Sequence, residues 1–233
     1  MKTKFLLLFV LATLTAYAEP KKAPVSFRTF GIGGVATDLV YLDGSTPKPI
    51  TIDDERRSVF YEFDGSPEPV VFARMIPGPD GKVVPKEVCR AVLPPPDKRF
   101  LLLFQKRPGD EEWTIRVLPD SIESVPPGGY RFLNYLDSKV GIILGENKEL
   151  IEPGAAWTSE GRPATGKVVF KVQVYKVPGE TAVNVYSNIW ALEASKRHLI
   201  LILPSIENPS GVKVRRLSED VNAIPADGKS PQP

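Results

Sequence analysis

The chain repeats itself at a spacing of 98 residues. Val70-Val71-Phe72 returns as Val168-Val169-Phe170, and Lys98-Arg99-Phe100-Leu101-Leu102-Leu103 returns as Lys196-Arg197-His198-Leu199-Ile200-Leu201. After a shift of one residue, Ile115-Arg116-Val117-Leu118 returns as Val214-Arg215-Arg216-Leu217. Asp120-Ser121-Ile122 with Val125-Pro126 then returns as Glu219-Asp220-Val221 with Ile224-Pro225. About 100 residues is the size of one small domain. The repeat therefore commits the chain to two copies of one small fold.

Periodicity says what that fold is. From Val168 to Val177 the positions Val168, Phe170, Val172 and Val174 are apolar, while Lys171 and Gln173 face the other way. Trp113, Ile115 and Val117 alternate with Thr114 and Arg116 in the same manner. A period of two marks a strand with one face on a core. The chain also has 24 prolines in 233 residues, roughly twice the usual share of about 5%. Proline breaks helices and is confined to turns and sheet edges, so helix is expected to be scarce.

In the first copy the strand candidates are Val25–Phe30, Asp38–Leu42, Ile50–Ile52, Val59–Phe63, Val70–Met75, Glu87–Leu93, Arg99–Phe104 and Trp113–Leu118. In the second they are Tyr130–Asn134, Val140–Leu144, Val168–Val177, Ala182–Leu192, Arg197–Leu203 and Val212–Leu217. Short strands separated by Gly/Pro/Asp turns point to a sandwich or barrel. The expected fold class is all-β with little helix: two tandem Ig-like antiparallel β-sandwich domains from an internal duplication, over 26–127 and 128–225. Phe100–Phe104 and Leu199–Leu203 are apolar on both faces. Only Pro126–Gly129 joins the copies, which is too short for a flexible tether. The second face of these strands is therefore expected to be buried between the copies.

The ends read differently. Lys2 and Lys4 precede an apolar run from Phe5 to Thr15, and Ala16-Tyr17-Ala18 is a small-x-small site. That is the layout of a secretory signal peptide over 1–18, cleaved after Ala18. The run is shorter than the roughly 20 residues a spanning helix needs, so no transmembrane segment is expected after cleavage. Residues 19–25 read as an extended arm and 226–233 as a disordered tail. The net charge of +2 equals the two leader lysines, so the remainder is charge-balanced and has no global pull towards nucleic acid. Cys89 is the only cysteine, which rules out an internal disulfide, and no glycosylation acceptor with a permitted middle residue occurs. These features fit a bacterial envelope protein, periplasmic or extracellular.

The chemically tempting residues have bland readings. His198, the only histidine, takes the place of Phe100, and no Gly-x-Ser-x-Gly elbow exists to give it a nucleophile. One histidine and one cysteine do not make the commoner zinc sites. In the 98-residue alignment Cys89 matches Ser187 and Trp190 matches Val92, so the thiol reads as buried and inert and the indole as core. Gly31-Ile32-Gly33-Gly34 lacks the following helix that a phosphate loop needs. Asp53-Asp54-Glu55-Arg56-Arg57 reads as a self-neutralising solvated loop. Catalytic acid pairs need no motif, so the acids alone decide nothing. No catalytic, cofactor-binding or metal residue is assigned, and no cofactor is expected. Trp157, in the expected loop Pro153–Thr158, and the recurring pairs Lys98, Arg99, Lys196 and Arg197 are the candidate partner contacts. The basic pairs also fit solvated gatekeepers beside an apolar strand.

The run Val125-Pro126-Pro127-Gly128-Gly129-Tyr130-Arg131-Phe132-Leu133-Asn134, with Val140–Gly145 and Pro153-Gly154, resembles a strand pattern of bacterial exported Ig-like β-sandwich proteins of unknown function. That resemblance implies a fold and no activity. A leader followed by two such domains, with Pro94-Pro95-Pro96-Asp97 ahead of an apolar strand, is also similar to periplasmic pilus chaperones. Their subunit-anchoring basic residues find no match here. The expected role is non-catalytic binding or assembly in the envelope, with another envelope protein or a surface ligand as partner. A chaperone working by strand addition is the alternative, and an envelope hydrolase the third.

Overall fold

The computed structural model describes residues 25–64, 69–106, 112–159 and 169–224. The expected leader, the arm up to residue 24 and the tail lie outside the described residues. Among the described residues the only helical element is a 3-10 turn, Val221–Ala223.

The first copy has strands β1 (Val25–Ile32), β2 (Ala36–Asp43), β3 (Thr46–Ile52), β4 (Tyr61–Phe63), β5 (Val70–Pro77), β6 (Val83–Ala91), β7 (Arg99–Gln105) and β8 (Thr114–Pro119). The second has β9 (Tyr130–Asn134), β10 (Lys139–Leu144), β11 (Asn147–Ile151), β12 (Ala156–Ser159), β13 (Val169–Val177), β14 (Val183–Ala191), β15 (Lys196–Pro204) and β16 (Val212–Asp220). Sheet β4-β1-β7-β8 packs on β3-β2-β5-β6, and β12-β9-β15-β16 on β11-β10-β13-β14. Adding eight to each label of the first sandwich gives the second, so the duplication holds strand for strand. The fold is two tandem β-sandwiches.

Three details depart from the sequence reading. The pairing is antiparallel except in the inner sheets, where β1 lies parallel to β7 and β9 to β15. Parallel neighbours cannot be joined by a tight turn; here the chain passes through β2 to β6 before it returns beside β1. Second, β11 and β12 escape recognition from periodicity. Four of the five β11 residues are exposed, so no apolar alternation marks it. It is held instead by its ladder to β10 and by a tight turn in which Gly145 takes φ 62°, a value that favours glycine.

Third, the 98-residue alignment slips in one hairpin. Phe72 pairs with Cys89, whereas the matching Phe170 pairs with Trp190. The structural counterpart of Cys89 is therefore Trp190, not Ser187, and Val92 is exposed rather than core. Phe170 and Trp190 stand 20 residues apart against 17 for Phe72 and Cys89, although the turns 78–82 and 178–182 are equally long. The stretch before the seventh strand is three residues shorter in the second copy (192–195 against 92–98), so the two differences cancel by Lys98 and Lys196.

Each sandwich has its own core, one around Phe27, Phe72, Phe100 and Phe104, the other around Tyr130, Phe132, Val172 and Ile200. A third core joins them: Phe30, Ile32, Leu101, Leu103 and Leu118 from the first copy meet Leu133, Leu199, Leu201 and Leu217 from the second. Alternate residues of β7 and β15 thus serve different cores, which is why those strands are apolar on both faces. Leu101 matches Leu199, Leu103 matches Leu201, Leu118 matches Leu217, and Phe30 matches Leu133 through their common partners in the ladders. Equivalent residues meet equivalent residues, as across the two-fold axis of a homodimer. The molecule is a four-layer stack of sheets with this seam at its middle.

Candidate functional site

One end of the apolar seam is closed by charge. Phe27 points into its own core, so its neighbour Arg28 on β1 points across the seam. Its Nε lies 2.6 Å from Asp120 Oδ2, just past the end of β8, and its Nη2 lies 2.6 Å from Glu219 Oε2 on β16. Its Nη1 also donates to Glu219 Oε1. Arg197, at the start of β15, completes the cluster. Its Nε is 2.8 Å from Glu219 Oε2, its Nη2 is 3.1 Å from Asp120 Oδ1, and its Nη1 donates to the carbonyls of Asp120 and Ser121 at 3.0 Å. Both acids are thus bridged to both copies.

The rest of the seam keeps the pseudo-symmetry in part. Arg131 sits in β9 where Arg28 sits in β1, and also reaches across, but donates to the carbonyls of Pro119 at 2.6 Å and Ser124 at 2.8 Å. Arg116 lies over Tyr135 and the matching Arg215 over Phe30. The loop between the third and fourth strands breaks the symmetry. It spans 53–60 in the first copy and 152–155 in the second. The longer loop brings Arg57 to the cluster, with Nη1 3.4 Å from Glu219 Oε2, and Phe60, over which Arg28 and Arg99 stack.

Burial by itself would raise the Glu219 carboxyl. The hydrogen bonds from Arg28 and the charges of Arg28, Arg57 and Arg197 outweigh it and hold that carboxyl at about 2. Burial, then repulsion from Arg28, pulls the Arg57 guanidinium down to about 10. Arg28 is raised above its ordinary value: burial opposes this, but Asp120 and Glu219 prevail. A glycosidase pair needs one carboxyl kept protonated as general acid. Here Glu219 is driven the other way and its oxygens are filled by guanidinium groups, so Glu219 does not supply such an acid.

The sequence-selected contact residues have separate fates. Lys98 is exposed and Arg99 half-buried, while Lys196 is held by Glu193 at 2.5 Å. Arg197 is buried, and the reading of its pair as solvated gatekeepers fails there: Asp120 across the seam and Glu219 on the neighbouring strand β16 stabilise it inside. The loop 53–57 is self-neutralising only in part, since Arg56 pairs with Asp53 at 3.1 Å while Arg57 turns inward. Trp157 lies on edge strand β12 rather than in a loop, half-buried and stacked on Phe132 with centroids 5.5 Å apart. Gly33 makes a turn between β1 and β2 at φ 79°, with no helix after it.

His198 is buried, stacked 4.5 Å from Tyr130, with Nδ1 2.9 Å from Ser218 Oγ. Burial, then the Arg216 charge, lowers it to about 4, so it is neutral at pH 7. Cys89 packs against the first core, where burial and then Glu87 push its thiol to about 12. Among the described residues no cluster of three or more His, Cys, Asp or Glu is placed to hold a metal. No described helix is long and apolar enough to cross a membrane.

The sheet edges form the second candidate site. β4 and β12 are short. β3 carries two prolines and a lysine; β8 an arginine and a proline; β11 a lysine and a glutamate; β16 several charges; and β6 carries Pro85, Lys86, Glu87 and Arg90. Such residues discourage pairing with another chain. β14, with the sequence Val-Asn-Val-Tyr-Ser-Asn-Ile-Trp-Ala, has neither charge nor proline along nine residues. Ile189 on its outer face is 69% exposed and lies beside Val169 on β13, which is 54% exposed.

No protein-family model matches this chain, and no curated protein matches it. The fold and its seam define a class only: a tandem β-sandwich protein whose two domains are fused through an apolar and ionic interface.

Proposed function

We propose that the protein is an exported, non-catalytic binding or assembly factor of the bacterial envelope, and that it takes an extended segment of a partner protein alongside β14. The observation that carries this reading is the unguarded β14 edge. The structurally equivalent β6 carries a proline and charges, so the fold does not require an edge of this kind. Strand addition gains affinity from main-chain hydrogen bonds and selectivity from alternate side chains. Val169 and Ile189 offer the apolar surface for those side chains. The sequence pattern over 1–18, with Lys2 and Lys4 ahead of an apolar run and Ala16-Tyr17-Ala18 after it, supports export as the expected leader.

The test is a photo-reactive residue at position 189 of the processed protein, with position 86 on β6 as control, in the protein's own envelope extract. Adducts to an extended partner segment are expected from 189, and they should be lost in Ser187→Pro. Ile189 N–H already donates to its neighbour Asn188 Oδ1 at 2.8 Å, so it faces away from β13. Ser187 has the same parity, and proline there removes an outward N–H while sparing the β13 ladder. Adducts that survive Ser187→Pro, or that come equally from 86, overturn the proposal. Adducts between two copies of this chain would replace the foreign partner with self-assembly.

A further inference from the structure

We propose that the cleft between the 53–60 loop and β16 is a binding site for an oxyanion, which places a phosphate or carboxylate group on the Arg57 guanidinium. The cleft has a volume of about 420 Å³ and is lined by Arg28, Arg56, Arg57, Arg216, Ser218 and Glu219.

The case begins with a charge imbalance. Arg28, Arg57 and Arg197 surround only two carboxylates, Asp120 and Glu219, leaving one positive charge in excess. The excess falls on Arg57. Its side chain is 10% exposed, and its Nε has no hydrogen-bond partner among the described residues. Its ion-pair partner, Glu219 Oε2, stands 3.4 Å from Nη1 and already receives Arg28 Nη2 and Arg197 Nε at 2.6 and 2.8 Å. A buried cation without a counter-charge is costly, and the fork of a guanidinium matches the paired oxygens of a carboxylate or phosphate. Even with its proton affinity lowered, Arg57 is charged at pH 7, because about 10 still lies well above that pH.

The surroundings admit such a ligand. Arg216 on β16 is exposed, stacked at 5.1 Å over Trp190, and adds positive charge at the mouth. Arg56 at the rim is tied to Asp53. Glu55 also lines the cleft and is exposed; its charge is screened by water, so it opposes an anion less than Arg57 attracts one. The second copy lacks the longer loop and so has no counterpart of Arg57. The site thus belongs to the part of the chain where the copies differ.

The processed full-length protein should be titrated calorimetrically with inorganic phosphate and with succinate, against sodium chloride at matched ionic strength. One saturable site per chain is expected, weakened at least tenfold in Arg57→Gln and less in Arg57→Lys, which keeps the charge but not the fork. Phosphate binding without succinate binding assigns the site to phosphate esters, and the reverse assigns it to carboxylates. Amide shifts on phosphate addition should be confined to 55–58 and 216–219 in the unmodified protein, a readout that holds even if the variants fold poorly. The absence of saturable binding by both anions, equal binding by Arg57→Gln, or shifts located elsewhere would overturn the assignment.

Discussion

Arg28 and Glu219 stand 191 residues apart in the chain and hold each other by a two-pronged ion pair across the seam between the copies. The pair shares its oxygens with Arg197 and Arg57, so its two halves are not equivalent. Replacing Glu219 leaves three buried guanidinium groups facing Asp120 alone. Replacing Arg28 leaves Glu219 still compensated by Arg197 and Arg57.

The first prediction follows from that asymmetry. Breaking a buried pair from one side typically costs about 3–5 kcal/mol. Glu219→Gln should fall in that range by urea unfolding, and Arg28→Met should cost clearly less. The double variant Arg28→Met/Glu219→Leu should be less damaging than Glu219→Gln alone, because two desolvated charges leave together. The reverse order of the two single variants would mean that the cluster is not organised around Glu219.

Acid should weaken the fold in two stages. His198 has a folded value of about 4, below its unfolded value near 6.5. Its contribution is therefore complete above about pH 6.5 and is lost as pH falls towards 4. Glu219 has a folded value of about 2 against an unfolded value near 4.3, so its contribution is lost from about pH 4.5 downwards. Each stage is worth on the order of 3 kcal/mol. His198→Phe, the residue the first copy uses at this position, should remove the upper stage and leave the lower. It should also leave neutral-pH stability within about 1.5 kcal/mol, since Ser218 is exposed and water replaces its bond to Nδ1. Equal pH profiles for the two proteins between pH 6.5 and 4.5 would exclude the histidine.

The seam should make the two sandwiches unfold together. Leu101, Leu103, Leu199 and Leu201 are nearly inaccessible and serve neither domain's own core. Truncating such a leucine to alanine typically costs about 2–5 kcal/mol, and serine adds an unpaired hydroxyl. Calorimetry should show one transition in the unmodified protein. In Leu101→Ser or Leu201→Ser it should show a lowered or divided one. The fully exposed Ile206 provides the control, and Ile206→Ser should change stability by less than about 0.5 kcal/mol. An unchanged melting curve for the leucine variants would show that the domains do not depend on this contact.

Much of this architecture is legible in the sequence, because apolar alternation and the repeat report burial directly. Strands such as Tyr130–Asn134 and the two-faced Leu199–Leu203 announce themselves in that way. Polar edge strand Asn147–Ile151 does not, since its stability comes from backbone pairing, although its counterpart Thr46–Ile52 in the first copy marks its place. The ionic cluster was accessible only in outline. The repeat aligns Asp120 with Glu219 and Arg99 with Arg197, an acid and a base kept at matched positions beside the most apolar strand, and that is a signal of paired burial. Arg57 and Arg28 carry no comparable mark. Nothing in the local sequence distinguishes an arginine that pairs with Asp53, as Arg56 does, from one that turns towards β16. Nor does a gapless repeat reveal that Cys89 occupies the place of Trp190 once compensating changes of length intervene.

That exchange leads to the last prediction. Cys89 faces Phe72 in the ladder as Trp190 faces Phe170, and it packs against the first core. With the thiol raised from 9.0 to about 12, the thiolate fraction at pH 8 falls about a thousandfold. Native protein should therefore react with iodoacetamide slowly, and in urea the rate should rise by two to three orders of magnitude, about what that thiolate deficit allows. Cys89→Ala should cost only about 1 kcal/mol, since one sulfur is removed from a half-buried site. A native rate within tenfold of the unfolded rate would mean that an activating group reaches Cys89. It would reopen the thiol as a functional residue, with no histidine at hand, since His198 is enclosed in the other sandwich.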